Sequence, residues 1–197
     1  MRRRTLLKVP PPPWALNLLA WACVRSRVPI PALAWNLNPS CAPGFAGRAY
    51  TKHSRLMVVE CADHDYNASS VLHEAAHHIA YQRGLGSGHS TAFYLIVWDL
   101  VSAAMLPLDK VIIAEVSYKA TAWPALLAFG YTPSPILIEM ASLAASRRTL
   151  RNAERELERA SARLQKSPHA PDTHPLFLAY ERSLHRWWKL DRALSAA

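Results

Sequence analysis

His73, Glu74 and His77 form the run His73-Glu74-Ala75-Ala76-His77, two histidines four residues apart with a glutamate after the first. On a helix, residues four apart share a face, so the two imidazoles can grip one Zn²⁺. Glu74, about 100° round the same helix, can reach a water on that metal and take its proton. Tetrahedral zinc sites that do chemistry use three protein ligands and keep a fourth position open. His89, twelve residues beyond His77, is the candidate third ligand.

The segment has the parts needed to bring these groups together. Val71, Leu72, Ala75, Ile79 and Ala80 give the first two ligands a buried helix. Gly84, Gly86 and Gly88 predict a helix stop and a turn, and Ser90 and Thr91 can open a second helix. The chain then returns with His89 over the first helix. Other readings fit the same residues. Three solvated histidines need no metal, and a structural zinc site would add a fourth Cys or His ligand. His78, one residue past His77, lies too far round the helix to share the metal and reads as a supporting or surface group. The longer pattern HExxHxxGxxH fails, because Ala80 and Arg83 stand where its glycine and third histidine belong. Glu115 is an alternative third ligand if its helix folds back.

These residues resemble the SprT-like (Spartan-type) zinc metallopeptidases and their short phage and actinobacterial relatives. There the third histidine opens the next helix in an HG-x-x-F context. Here the run is His89-Ser90-Thr91-Ala92-Phe93, with serine where glycine is common. The resemblance covers Trp14 to Met105. It implies a helix, a small antiparallel sheet and the active-site helix in that order, and protein substrates linked to DNA. The zinc-ribbon cysteine pairs of some relatives are absent.

The supporting elements can be read along the chain. A basic, proline-rich segment (1–13) precedes an amphipathic helix from about Trp14 to Arg27, ended by Pro29 and Pro31. That apolar run is too short to span a bilayer, and the proline run argues against a signal peptide. Three strands are expected at Ala32 to Leu37, Gly47 to Thr51 and Arg55 to Cys61, the last two as a hairpin around Lys52-His53-Ser54. A sheet edge beside the zinc helix would let an extended peptide add as a strand. Asp63, His64 and Asp65 read as a loop ending at a helix cap on Asn67 or Ser69. Ala92 to Met105 is an apolar, buried helix, in which Asp99 is either a paired buried carboxylate or an acceptor orienting a ligand histidine. Lys110 to Ala120 is a further helix. Its Tyr118 is a candidate oxyanion stabiliser, or simply a helix residue.

From Ser134 the pattern changes. Leu143, Leu150, Leu157 and Leu164 recur every seven residues, with Ser146, Ala153 and Ala160 offset by three. A second helix from Leu176 to Leu194 suggests an antiparallel hairpin, or pairing between chains. Arg147, Arg151, Arg155, Arg159 and Arg163 form a basic stripe, read as a solvated face or as contacts to nucleic-acid phosphates. Charge is uneven along the 197 residues. Residues 1–70 carry nine basic and three acidic groups, 71–146 three and five, and 147–197 eleven and six. Both ends favour polyanions and the middle does not. Cys23, Cys41 and Cys61 are odd in number and unpaired in spacing, which suits reduced thiols in the cytoplasm.

The expectation is therefore an α+β chain with a metallopeptidase domain at 14–133 and a basic helical hairpin at 134–197. Zn²⁺ is the expected cofactor and a protein or peptide the expected substrate, with DNA as a candidate partner of the hairpin. Oligomeric state is left open. The rival reading is a non-catalytic nucleic-acid-binding protein with a structural zinc site.

Overall fold

The computed structural model describes residues 7–37, 47–60, 64–86, 88–166 and 175–195. It is an α+β protein that separates into two compact units, Met1–Pro133 and Ser134–Ala197. The first contains β1 (Leu7–Val9), α1 (Pro13–Ser26), β2 (Ala32–Leu37), β3 (Gly47–Tyr50) and β4 (Arg55–Glu60). Four helices follow, α2 (His64–Gln82), α3 (Thr91–Ala103), α4 (Leu108–Tyr118) and α5 (Ala122–Ala128). The second unit holds α6 (Pro135–Gln165) and α7 (Pro175–Ser195).

The sheet has four strands rather than three, in the order β1-β2-β4-β3. The extra strand lies in the proline-rich segment, where Lys8 pairs with Asn36 and Val9 with Trp35, antiparallel to β2. The hairpin forms as expected, with Tyr50 opposite Arg55 and Gly47 opposite Val58. Its tight turn ends at Ser54, whose φ of 47° places it in the left-handed region. The sheet is not wholly antiparallel, however. β2 and β4 run parallel, from Ala32 beside Arg55 to Leu37 beside Glu60. The hairpin's outer strand β3 falls at the sheet edge, leaving β4 to pair with β2.

Helix α1 starts on Pro13, where a missing N–H costs nothing, and ends at Arg27 in the left-handed conformation. It buries Ala15, Leu19, Ala22 and Cys23, one face at helical spacing. Burial pushes the Cys23 thiol up to about 11, so it stays a neutral core side chain. Trp14 meets Trp35 edge to face, with centroids 5.5 Å apart, tying α1 to β2. The core around the HExxH helix is apolar: Val71, Leu72, Ala75 and Ile79 of α2 are fully buried, as are Leu56 and Val58 of β4 and Phe93, Val97 and Trp98 of α3, the elements on which α2 packs.

Several local expectations change. Asn67 and Ser69 are not caps, because α2 already begins at His64; both are buried inside the helix. Met105 lies beyond α3, exposed and with φ 53°. Asp99 is neither a buried carboxylate nor a histidine's acceptor, since it pairs with Arg25 of α1 at 2.9 Å in solvent. Asn38-Pro39, Cys41, Cys61 and Asp63 lie outside the described residues. No described helix is long and apolar enough to cross a membrane.

In the second unit α6 is capped by the Ser134 hydroxyl, which accepts from the Leu137 N–H at 3.2 Å. α6 and α7 pack on each other within the chain. Their seam is made by the small residues: Ala153 and Ala160 are buried, Leu150, Leu157 and Leu164 flank them half-buried, and Leu143 and Ser146 are exposed. On α7, Tyr180, Trp187 and Asp191 are half-buried, whereas Leu184 is exposed. Arg147, Arg151, Arg155, Arg159 and Arg163 are all exposed.

Candidate metal centre

Helix α2 ends in a Schellman motif: the Leu85 N–H donates to the Ala80 carbonyl and the Gly84 N–H to Tyr81, with Gly84 at φ 71°. An L side chain at Gly84 would be strained, so the glycine is what turns the chain back. Ser90 then caps α3 by accepting from the Phe93 N–H at 3.2 Å. His89 sits between these two signals, and its carbonyl accepts from the Thr121 hydroxyl at 2.6 Å. A helix stop, a helix start and one tether thus fix the third histidine.

The three imidazoles converge. His73, His77 and His89 each offer a ligand atom within 4.8 Å of the others, a group that could hold a metal ion. The Nε2 atoms of His73 and His89 are 3.1 Å apart. Ligand nitrogens on a tetrahedral zinc stand about 3.3–3.4 Å apart, given Zn–N of about 2.0–2.1 Å, so this pair is close to the spacing that one shared ion needs. Among the described residues no fourth Cys, His or carboxylate joins the group. Phe93 lies under His77 as a near-parallel platform, with centroids 4.2 Å apart. The aromatic residue of the His89–Phe93 run therefore shapes the site directly.

Glu115 does not point into the ligand space. It stands behind His73, where Nδ1–H donates to its Oε1 at 2.8 Å. That bond fixes the tautomer and aims Nε2 at the cluster. Burial would lower the His73 pKa, but the Glu115 carboxylate, by charge and hydrogen bond, and then Glu74 outweigh it and hold it raised. Nε2 is the atom that His73 would offer to a metal ion, with the Nδ1 bond left intact. His89 is the reverse: burial, then the neighbouring His73 charge, push it down to about 4, which keeps it a neutral donor.

Glu74 is buried, with only 6% exposed, and its Oε2 has no hydrogen-bond partner among the described residues. Burial first, and Glu115 as well, push its carboxyl up to about 7 against the opposing pull of His73 and Arg48. A carboxyl so poised suits proton transfer near neutral pH. Room for it depends on Gly47 at the start of β3. A β-carbon there would meet Glu74 Cγ and Oε1 and the Met57 carbonyl, each at 2.7 Å.

Tyr118 also reaches the site. Its ring is 5.0 Å from that of His89 and 6.2 Å from that of His73, and it is 42% exposed. It shares a face of α4 with Glu115, three residues earlier. His78 is not a surface group: it is fully buried and its Nε2–H donates to the Pro29 carbonyl at 2.9 Å, anchoring the end of α1 to α2. The arginines of α6 belong to the second unit. The sequence pattern puts Glu115 on a helix but carries no sign that it stands behind His73, and Gly47 has no local signal beyond being a glycine at a strand end.

Comparison of the chain with protein-family models, with curated proteins and with solved structures finds no match.

Proposed function

We propose that this chain is a zinc-dependent metallopeptidase of the SprT-like kind. The observation that carries the reading is the convergence of His73, His77 and His89 beside a buried, partly unpartnered Glu74. A zinc ion held by the three histidines would supply Lewis acidity and lower the pKa of a water to about 7. Glu74 would take a proton from the attacking water and pass it to the leaving amine as the peptide C–N bond breaks. Glu115 keeps the His73 ring in its ligand orientation through the Nδ1 bond. Tyr118, whose ring lies beside His89, is the candidate donor to the oxyanion, and β3, at the sheet edge beside Glu74, is where an extended substrate could add as a strand. A protein or peptide substrate and a cytoplasmic setting belong to the same reading.

Purified protein tests it through metal content and hydrolysis of a loosely folded protein such as casein. The reading requires about one zinc per chain and cleavage that a chelator abolishes and added zinc restores. Zinc retained without cleavage would favour the rival, a nucleic-acid-binding protein with a structural metal. The exposure of the α6 arginine stripe supports DNA contact by the second unit as an accessory to either reading.

A further inference from the structure

The sheet turns Leu56, Val58 and Gly47 toward α2, and its other face carries a cleft of about 360 Å³. Lys8 of β1, Asn36 of β2, Tyr50 of β3, Arg55 and Met57 of β4, and His53 of the hairpin turn line it. The strand register explains why they meet. Lys8 lies beside Asn36, and Tyr50 beside Arg55, so alternate residues of all four strands share this face. Arg48, two residues from Tyr50 on the same face of β3, holds its guanidinium 5.7 Å from the Tyr50 ring centroid.

The chemistry of the cleft is one-sided. Lys8, His53 and Arg55 are exposed, and no carboxylate lines the cleft among the described residues. Glu60, the acidic residue of these strands, is engaged by the Trp35 indole N–H. Asn36, only 4% exposed, places a carboxamide in the floor. Tyr50 leaves 38% of its surface open. Cations therefore sit at both ends of a face two to three strand spacings wide, roughly 10–14 Å, with an aromatic ring and Met57 between them. One phosphate would use only one end. A ring face is useful to unpaired bases, whereas a duplex presents only base edges and backbone.

We propose that this sheet face binds single-stranded nucleic acid, with Lys8, Arg48 and Arg55 on the phosphates and a base stacked on Tyr50. None of these residues belongs to the His73, His77 and His89 group.

The test is fluorescence anisotropy of the full chain with a labelled single-stranded oligothymidylate, across a salt series. A duplex of equal length and heparin serve as competitors. The parent should prefer the single strand. Lys8→Gln with Arg55→Gln should weaken it and flatten log K against log salt by about 0.7 per lost contact. Tyr50→Leu should weaken binding on the order of tenfold while leaving the salt slope unchanged, since stacking carries no counterion release. Lys8 and Arg55 are exposed, so that pair decides the question if Tyr50→Leu fails to fold. The proposal is overturned if the parent does not bind, or if the double variant binds as the parent does. It is equally overturned if duplex and heparin compete as well as the single strand, or if binding is lost only on replacing Arg151, Arg155 and Arg159.

Discussion

The carboxylate of Glu74 fills the space that a side chain at Gly47 would need: a β-carbon there would lie 2.7 Å from Glu74 Cγ and Oε1. An edge strand and the HExxH helix are thus in contact at the one strand residue without a side chain. Replacing it with alanine should displace Glu74 or push β3 away, because the third neighbour, the Met57 carbonyl, is backbone and cannot swing aside. Gly47→Ala should therefore lower kcat by roughly 10–100-fold, on the scale of losing a well-placed proton acceptor. Zinc content should hold. A kcat equal to the parent's would mean that Glu74 has slack, and that its position is not set by β3.

Glu115 offers a second test, of metal affinity. Glu115→Gln keeps an acceptor for the His73 Nδ1–H but removes the charge that strengthens the bond. Loss of such an orienting partner typically costs 10–100-fold in metal affinity. Chelator competition should show a weakening of about that size while the thermal midpoint of the zinc-free protein stays near the parent's. Unchanged affinity would leave Glu115 as a packing residue.

Tyr118 is examined by removing one atom. Tyr118→Phe preserves the ring beside His89 and deletes the hydroxyl. If the hydroxyl stabilises an oxyanion, kcat should fall by a factor on the order of 10² with KM and zinc content little changed. A variant as active as the parent would confine Tyr118 to packing against His89.

The site was legible where its signals are local. The HExxH spacing, the glycine that stops α2 and the Ser90 cap of α3 act within a few residues, and together they deliver His89. The hairpin was legible for the same reason, being a short alternating pair about a tight turn. What could not be read depends on residues far apart in the chain. β1 has only three residues, too few for alternation to show, and becomes a strand by pairing with β2. The parallel pairing of β2 with β4 joins strands that no tight turn connects, with β3 lying between them in the chain. Arg25 neutralises Asp99 from 74 residues away. Glu115, 42 residues from His73, has a function only because α4 folds behind that ring.

The most direct measurement compares Glu74→Gln with His77→Ala, scoring zinc per chain and casein hydrolysis side by side. Glu74 is not among the ligand group, so Glu74→Gln should hold about one zinc and lose 10²–10⁴-fold in cleavage, the usual scale for a positioned proton-transfer group. His77→Ala should lose metal and cleavage together. Glu74→Gln protein that cleaves as fast as the parent would contradict the account.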